Sequence, residues 1–121
     1  MRAALLASLA LCLLVGGVIL LSSVGTARLE GYLDALPAED TAPAAGAAAL
    51  DELLSRTDRE MGLLTAIFHH TRVDELGNAL CRALAAARSD DTTEYRILLG
   101  EVERILLAMR RDLCLVPFDL W

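Results

Sequence analysis

Residues 3–27 contain no charged side chain, and this apolar stretch constrains the fold more than any other feature of the chain. A helix crosses a bilayer core of about 30 Å with roughly 20 residues, each rising 1.5 Å. The apolar core of a cleavable signal peptide is shorter, only about 7–15 residues. Residues 1–27 are therefore predicted to form a transmembrane anchor.

Cleavage as a signal peptide is the alternative for the same residues. Gly25, Thr26 and Ala27 place small residues at the positions that signal peptidase reads, so cleavage before Arg28 is chemically possible. A cleaved chain would be a secreted soluble domain. Both interpretations export the rest of the chain.

The charges on the two sides of the apolar stretch predict its orientation. Arg2 and the amino terminus precede the stretch, whereas Glu30 and Asp34 follow the lone Arg28. Positive charge remains on the cytoplasmic side, so the N-terminus is expected in the cytoplasm. The absence of lysine and the abundance of alanine, leucine and arginine are typical of a bacterial GC-rich coding sequence. The expected location is the bacterial inner membrane, with the C-terminal domain in the periplasm.

The charge balance argues against one class of partner. The chain carries a formal net charge of -6, and every basic residue is arginine. Neutralising phosphates supplies much of the affinity of nucleic-acid-binding proteins, and an acidic domain does this poorly. Nucleic acid is therefore not expected as a partner.

Small residues recur every four positions along the apolar stretch, at Ala4, Ser8, Cys12 and Gly16. On a helix these four side chains share one face and leave a shallow groove that another helix can approach closely. The opposite face carries large aliphatic side chains suited to lipid. This small stripe predicts contact with other membrane protein subunits, or with a second copy of the chain in a homo-oligomer. The alternative is that small residues are simply frequent in such segments.

The rest of the chain is predicted to be all-α. Residues 28–36 continue the anchor as an amphipathic stalk, and residues 37–48, rich in proline and alanine, form a linker. Residues 49–113 carry apolar side chains at helical spacing in three segments. This pattern predicts a small three-helix bundle or a helical hairpin.

Two boundaries inside the bundle have capping signals. A shift in the apolar phase predicts a break near residues 70–72, with Thr71 as the N-cap of the next helix. Asp91, with Glu94 three residues later, is predicted to cap a last helix over residues 92–113.

Cys81 and Cys114 are candidates for a disulfide, because exported domains reach an oxidising compartment. In an antiparallel hairpin the two residues would lie about 22 Å apart along the helix axis, whereas a disulfide needs Cα atoms within about 7 Å. A bridge inside one chain therefore requires the chain to fold back sharply after Leu113. Intermolecular bridges and free thiols are the alternatives.

His69 and His70 are the only histidines and are the candidate metal ligands. On an unbroken helix, His70 and Asp74 would lie four residues apart on one face and could hold an ion together. Neighbouring residues on a helix point about 100° apart, so the two rings share an ion with difficulty. A polar helix terminus is the simpler interpretation of the pair. The chain has no phosphate loop, no nucleophile motif and no haem or zinc motif, so neither an enzyme nor a cofactor is expected.

The last eight residues, 114–121, form an unusually apolar tail. Pro117 is predicted to end the helix and to leave an extended segment. The tail is expected to fold back on the bundle, to dock in a partner or to lie at the lipid interface. Its candidate partner-binding side chains are Val116, Phe118, Leu120 and Trp121.

These features favour a non-catalytic, single-pass membrane protein that is an accessory or scaffold subunit of a larger membrane assembly. Its exported helical domain would make protein–protein contacts. One alternative is an exported bundle that binds a small ligand, a metal or a cofactor, with His69 and His70 as candidate ligands. Another is a secreted soluble protein that is released by cleavage after Ala27.

Overall fold

The structure, a computed structural model, describes the backbone of residues 2–38 and 41–119 and the side chains of these residues up to Leu113. The described residues form five helices and no strand, which confirms the predicted all-α bundle. The helices are α1 (Arg2–Ala35), α2 (Pro43–Arg59), α3 (Met61–Ile67), α4 (His70–Arg88) and α5 (Thr92–Asp119).

Helix α1 runs without a break from the apolar stretch into the bundle. Leu29 and Tyr32 are 0% and 2% exposed. Residues 28–36, expected to form a stalk, thus contribute a helix to the bundle. The physical reason is their amphipathic pattern. Burying the apolar face of these residues against the other helices removes it from water and enlarges a small hydrophobic core. Pro37 follows the helix and cannot continue its hydrogen bonding.

Helix α2 begins at Pro43, inside the segment that was expected to be a linker. Proline suits the first turn of a helix because its missing N–H has no helical partner there. The alanines that follow have the highest helix propensity of all residues. Gly46 lies directly against the ring of Tyr95, and a Cβ at this position would be 1.7 Å from the tyrosine hydroxyl.

The break predicted near residues 70–72 lies slightly earlier in the structure, and the N-cap predicted at Thr71 is wrong. Helix α3 ends at Ile67, and Phe68 is extended, with φ -109° and ψ 156°. His69 is the N-cap of α4, where its Nδ1 accepts a hydrogen bond from the Thr71 N–H at 3.2 Å. The extended backbone at Phe68 changes the direction of the chain between α3 and α4, and both Phe68 and Val73 are buried in the core.

The connection between α4 and α5 is the predicted turn. Asp90 has a φ of 57°, a left-handed conformation that aspartate tolerates better than most residues. The Oδ1 of Asp91 accepts a hydrogen bond from the Glu94 N–H at 3.2 Å, which confirms the predicted cap. The far end of α5 differs from the prediction, because the helix continues through Pro117 to Asp119. Proline removes the hydrogen bond to the carbonyl of Leu113 and crowds that carbonyl with its ring, yet the backbone remains helical for two more residues instead of becoming extended.

The core is built between α2, α4, α5 and the second half of α1. Tyr32 of α1 shares one small interior space with Leu53 of α2, Leu76 of α4 and Leu106 of α5. The bundle therefore contains one long helix more than the predicted three, and the fourth is the second half of α1. The largest fully buried side chains are Tyr32, Tyr95, Leu29, Leu50, Leu64, Leu76, Leu99, Leu106 and Met109.

Candidate interaction surfaces

The apolar half of α1 projects from the bundle with its side chains uncovered. The helix is long and apolar enough to cross a membrane, a property that a signal sequence near the N-terminus also has. All but two of the exposed large hydrophobic residues of the described chain lie on it. They are Leu5, Leu6, Leu9, Leu11, Leu13, Leu14, Val15, Ile19, Leu20 and Leu21.

The predicted small stripe lies on this projecting half. Ala4, Ser8, Cys12 and Gly16 are all exposed, and they follow one another at four-residue steps along one helix face. A Cβ placed on Gly16 would meet nothing within 4 Å, and the same holds for Gly17. The bundle therefore leaves the whole stripe accessible to a second helix.

Helix α1 leaves the bundle at a close helix–helix contact. A Cβ on Gly25 would lie 2.8 Å from Cδ1 of Leu113 and 3.0 Å from Cγ2 of Ile67. Because glycine has no side chain, α1 approaches both α3 and α5 at this point. The contact fixes where the projecting half begins.

An open groove of about 560 Å³ runs beside this contact. Hydroxyl side chains of Ser22, Ser23 and Thr26 line it together with apolar residues. Thr26 Oγ1 donates to the carbonyl of Ser22 at 2.9 Å, so this hydroxyl is satisfied within the helix.

A polar cluster binds α1 to the junction of α2 and α3. The Tyr32 hydroxyl donates a hydrogen bond to Glu60 Oε2, and Arg28 Nη1 forms an ion pair with Glu60 Oε1. The guanidinium of Arg56 lies over the Tyr32 ring at 5.7 Å from its centroid, within the range of a cation–π interaction. Burial, followed by the hydrogen bond to Glu60, raises the pKa of Tyr32 well above its ordinary value. The hydroxyl thus remains protonated and donates to the carboxylate.

Sequence reasoning did not single out Glu60 or its role. A signal exists in the sequence, because Tyr32 falls at helical spacing with Leu29 and Leu36 on the apolar face of residues 28–36, and a buried tyrosine hydroxyl needs a hydrogen-bond partner. The identity of that partner depends on how α1 crosses α2, which no local pattern of the sequence contains.

A second ion-pair cluster joins α4 and α5 near the same end of the bundle. Arg72 Nε lies 3.2 Å from Asp112 Oδ2, and Arg72 Nη1 lies 3.2 Å from Glu75 Oε2. These hydrogen bonds raise the pKa of the Arg72 side chain, and the bond to Asp112 has the larger effect. Arg72 therefore remains charged and spans the two helices.

The histidines are exposed and stack on each other, with ring centroids 4.8 Å apart. His69 uses its Nδ1 as the cap of α4, which occupies one nitrogen that a metal would need. No third histidine, cysteine or carboxylate joins the pair among the residues that the structure describes. The arrangement is that of a helix start.

Helices α4 and α5 do not bring the two candidate disulfide cysteines together. Cys81 is an exposed free thiol next to Arg82, which is 3.0 Å from Glu101 of α5. Cys114 lies on the helical backbone of α5, roughly 20 Å further along its axis, and its side chain is outside the described part. A bridge within one chain would require α5 to unwind.

Two of the four candidate tail residues fall within the described part of α5. Val116 and Phe118 lie on the helical backbone of α5, without a described side chain. Leu120 and Trp121 lie outside the described residues. Their predicted contacts stay predictions.

Comparison with known proteins adds no assignment to this geometry. No protein-family model, curated protein or solved structure matches the chain.

Proposed function

We propose that this chain is a non-catalytic, single-pass membrane protein whose exported bundle is an accessory or scaffold subunit of a larger membrane assembly. The observation that carries the proposal is the division of α1. Its first half exposes a continuous apolar surface, while Leu29 and Tyr32 of its second half are buried in the bundle. One helix thereby connects a membrane surface and a folded domain.

The coupling of the two halves supports a scaffold role. Gly25 packs against Leu113 and Ile67, and Tyr32 and Arg28 are held by Glu60. The projecting half therefore leaves the bundle in a defined direction. A partner helix packed on the small stripe would position the exported domain, and the domain would position the helix.

The packing also favours a retained anchor over cleavage. Residues 25–27, where signal peptidase would cut, lie inside a continuous helix, and Gly25 is buried. Cleavage before Arg28 would remove the contact of Gly25 with Leu113. The N-terminus would then remain in the cytoplasm and the bundle in the periplasm of a bacterial cell, as the flanking charges indicate.

The proposal is tested by isolating the C-terminally tagged chain from membranes in mild detergent. The intact mass of the protein is measured, and the co-purifying chains are identified. We expect a full-length mass and at least one stoichiometric membrane protein. A chain that begins at Arg28, or a full-length chain without a partner, would contradict the proposal.

A pair of neighbouring glycines provides the matched variants for the same isolation. Gly16→Leu fills the small stripe, whereas Gly17→Leu adds the same side chain about 100° away on the helix. We expect Gly16→Leu to lose the partner and Gly17→Leu to retain it. Equal retention by both variants would exclude the stripe as the contact.

A further inference from the structure

The packing of α1 against α5 shows which end of the bundle faces the apolar half of α1. Tyr32 and Leu106 line one interior space, and Gly25 lies against Leu113. Going back along α1 thus corresponds to going forward along α5, so the two helices are antiparallel. The apolar half of α1 leaves the bundle at the end where Leu113 lies.

Four arginines lie at this end, and we call them the proximal arginines: Arg28, Arg72, Arg110 and Arg111. Arg28 follows Gly25 by three residues and Arg110 precedes Leu113 by three, each a rise of about 4.5 Å. Arg72 bonds to Asp112, which adjoins Leu113. All four therefore lie within about one helical turn of the level where the apolar stretch ends.

The proximal arginines differ in what surrounds them. Arg28 and Arg72 are partly exposed and are bound to carboxylates of Glu60 and Asp112. Arg110 and Arg111 are exposed, and neither has a carboxylate within ion-pair distance among the described side chains. These two guanidinium groups present their donors outward.

Carboxylates lie at both ends of the bundle. Asp90, Asp91 and Glu94 lie at the turn between α4 and α5, while Glu60, Glu75 and Asp112 pair with Arg28 and Arg72 at the end where Leu113 lies. The chain has a net charge of -6, yet it leaves Arg110 and Arg111 exposed next to the apolar half of α1. These two arginines suit a negatively charged surface on that side.

Helix α5 extends beyond the bundle on the same side. Residues 114–119 continue the helical backbone about 9 Å past Leu113. Because α5 is antiparallel to α1, this extension runs toward the apolar half of α1. If α1 crosses a membrane, the C-terminal end of α5 therefore points toward that membrane.

The dimensions of a bilayer place the proximal arginines among the lipid headgroups. Each headgroup layer is roughly 5–8 Å thick beyond the hydrocarbon core, and one helical turn past residue 27 lies inside this layer. Guanidinium groups bind phosphate oxygens in bidentate geometry. Each arginine near an anionic membrane surface contributes about fivefold to the affinity.

We propose that Arg110 and Arg111 bind the phosphate groups of anionic phospholipids, so that the bundle rests on the membrane and is held there by α5 as well as by α1. This inference rests on the proposed function in one respect, that α1 spans the bilayer. It assigns Arg110 and Arg111 to lipid and not to a protein partner.

The test is a lipid titration of the full-length protein in detergent, followed by native mass spectrometry. The probes are phosphatidylglycerol and phosphatidylcholine with identical acyl chains. We expect wild-type protein to prefer phosphatidylglycerol, and Arg110→Gln with Arg111→Gln to weaken its binding about tenfold or more. Phosphatidylcholine binding should stay within twofold.

The matched control is Arg88→Gln with Arg96→Gln, which removes the same charge at the opposite end of the bundle. We expect this variant to bind phosphatidylglycerol within twofold of wild type. An equal loss in both double variants, or no loss in the proximal one, would overturn the inference. Arg110→Lys with Arg111→Lys retains the charge and should keep most of the preference, and unchanged unfolding temperatures exclude misfolding as a cause.

The two proposals fail in distinguishable ways. The titration requires no partner protein, so a missing partner or a chain that begins at Arg28 contradicts only the proposed function. Conversely, if the proximal double variant lost a co-purifying protein but retained its preference for phosphatidylglycerol, the surface would be a protein contact. That result would overturn the lipid inference.

Discussion

Two tyrosines show how one residue type has opposite effects on the same core. Tyr32 and Tyr95 are both fully buried. The hydroxyl of Tyr32 donates to Glu60, whereas the hydroxyl of Tyr95 has no hydrogen-bond partner among the described residues. A buried polar group without a partner lowers stability, and a satisfied one adds to it.

The two phenylalanine variants are therefore expected to differ in sign. Tyr32→Phe removes a donor from Glu60 and should lower the free energy of unfolding by about 1–2 kcal/mol. Tyr95→Phe removes only an unsatisfied hydroxyl and should be neutral or stabilising by up to about 1 kcal/mol. Urea unfolding of both variants in detergent, followed by circular dichroism, measures the difference. Equal losses would contradict the assignment of Tyr32 to the cluster with Glu60.

The same tyrosines predict how stability depends on pH. Burial raises the pKa of Tyr95 as well as that of Tyr32, each from an ordinary value of 10.0. A pKa raised in the folded state gives stability that is fully present below the unfolded pKa and is lost as the pH rises through the folded pKa. The unfolding temperature should therefore fall as the pH increases above about 10. In Tyr32→Phe this fall should be smaller, and an unchanged fall would show that Tyr32 ionises freely.

At the scale of the elements, the close contact of α1 with α3 and α5 depends on one glycine. Gly25 allows α1 to lie against Leu113 and Ile67, whereas Gly31 has only Arg56 Nη1 near a Cβ position, at 3.7 Å. Both glycines lie in the same helix, so helix propensity affects them alike. The two positions differ in the space that is available for a side chain, which is occupied at Gly25 and open at Gly31.

Gly25→Leu should push α1 away from α5 and lower the free energy of unfolding by about 1–3 kcal/mol, the usual result of overpacking. Gly31→Ala should instead raise it by about 0.5–1 kcal/mol, because alanine replaces glycine in a helix without a clash. Thermal unfolding of the two variants in the same detergent measures both changes. Stabilisation by Gly25→Leu would mean that α1 and α5 are not in close contact there.

At the scale of the whole molecule, α1 shares one core with the other helices. Tyr32 packs between α2, α4 and α5, and Leu29 is 0% exposed. A bundle of this size has little stability to spare. The second half of α1 is therefore expected to be required for folding, while the first half is not.

Two fragments separate these roles. Residues 28–121 retain Leu29 and Tyr32 and should unfold cooperatively. Residues 38–121 lose the burial of both side chains, roughly 3–5 kcal/mol, and should be partly folded or aggregated. Circular dichroism melting curves measure the difference. Cooperative unfolding of the shorter fragment at the same temperature would show that α1 is not part of the core.

Local chemistry determined much of this protein from the sequence alone. The uncharged stretch over residues 3–27 indicated a helix long enough to cross a membrane, and the helical spacing of apolar residues indicated an all-α domain. The position of Asp91 indicated that its side chain caps the start of the last helix. Periodicity and capping depend on residues that are close in sequence, so they can be read without a structure. Only tertiary packing decided that residues 28–36 belong to the core, that Glu60 is the partner of Tyr32, and that the proximal arginines collect beside the apolar half of α1. These features depend on which helices pack together and in which direction, and contacts between residues distant in sequence leave no periodic signal in the chain.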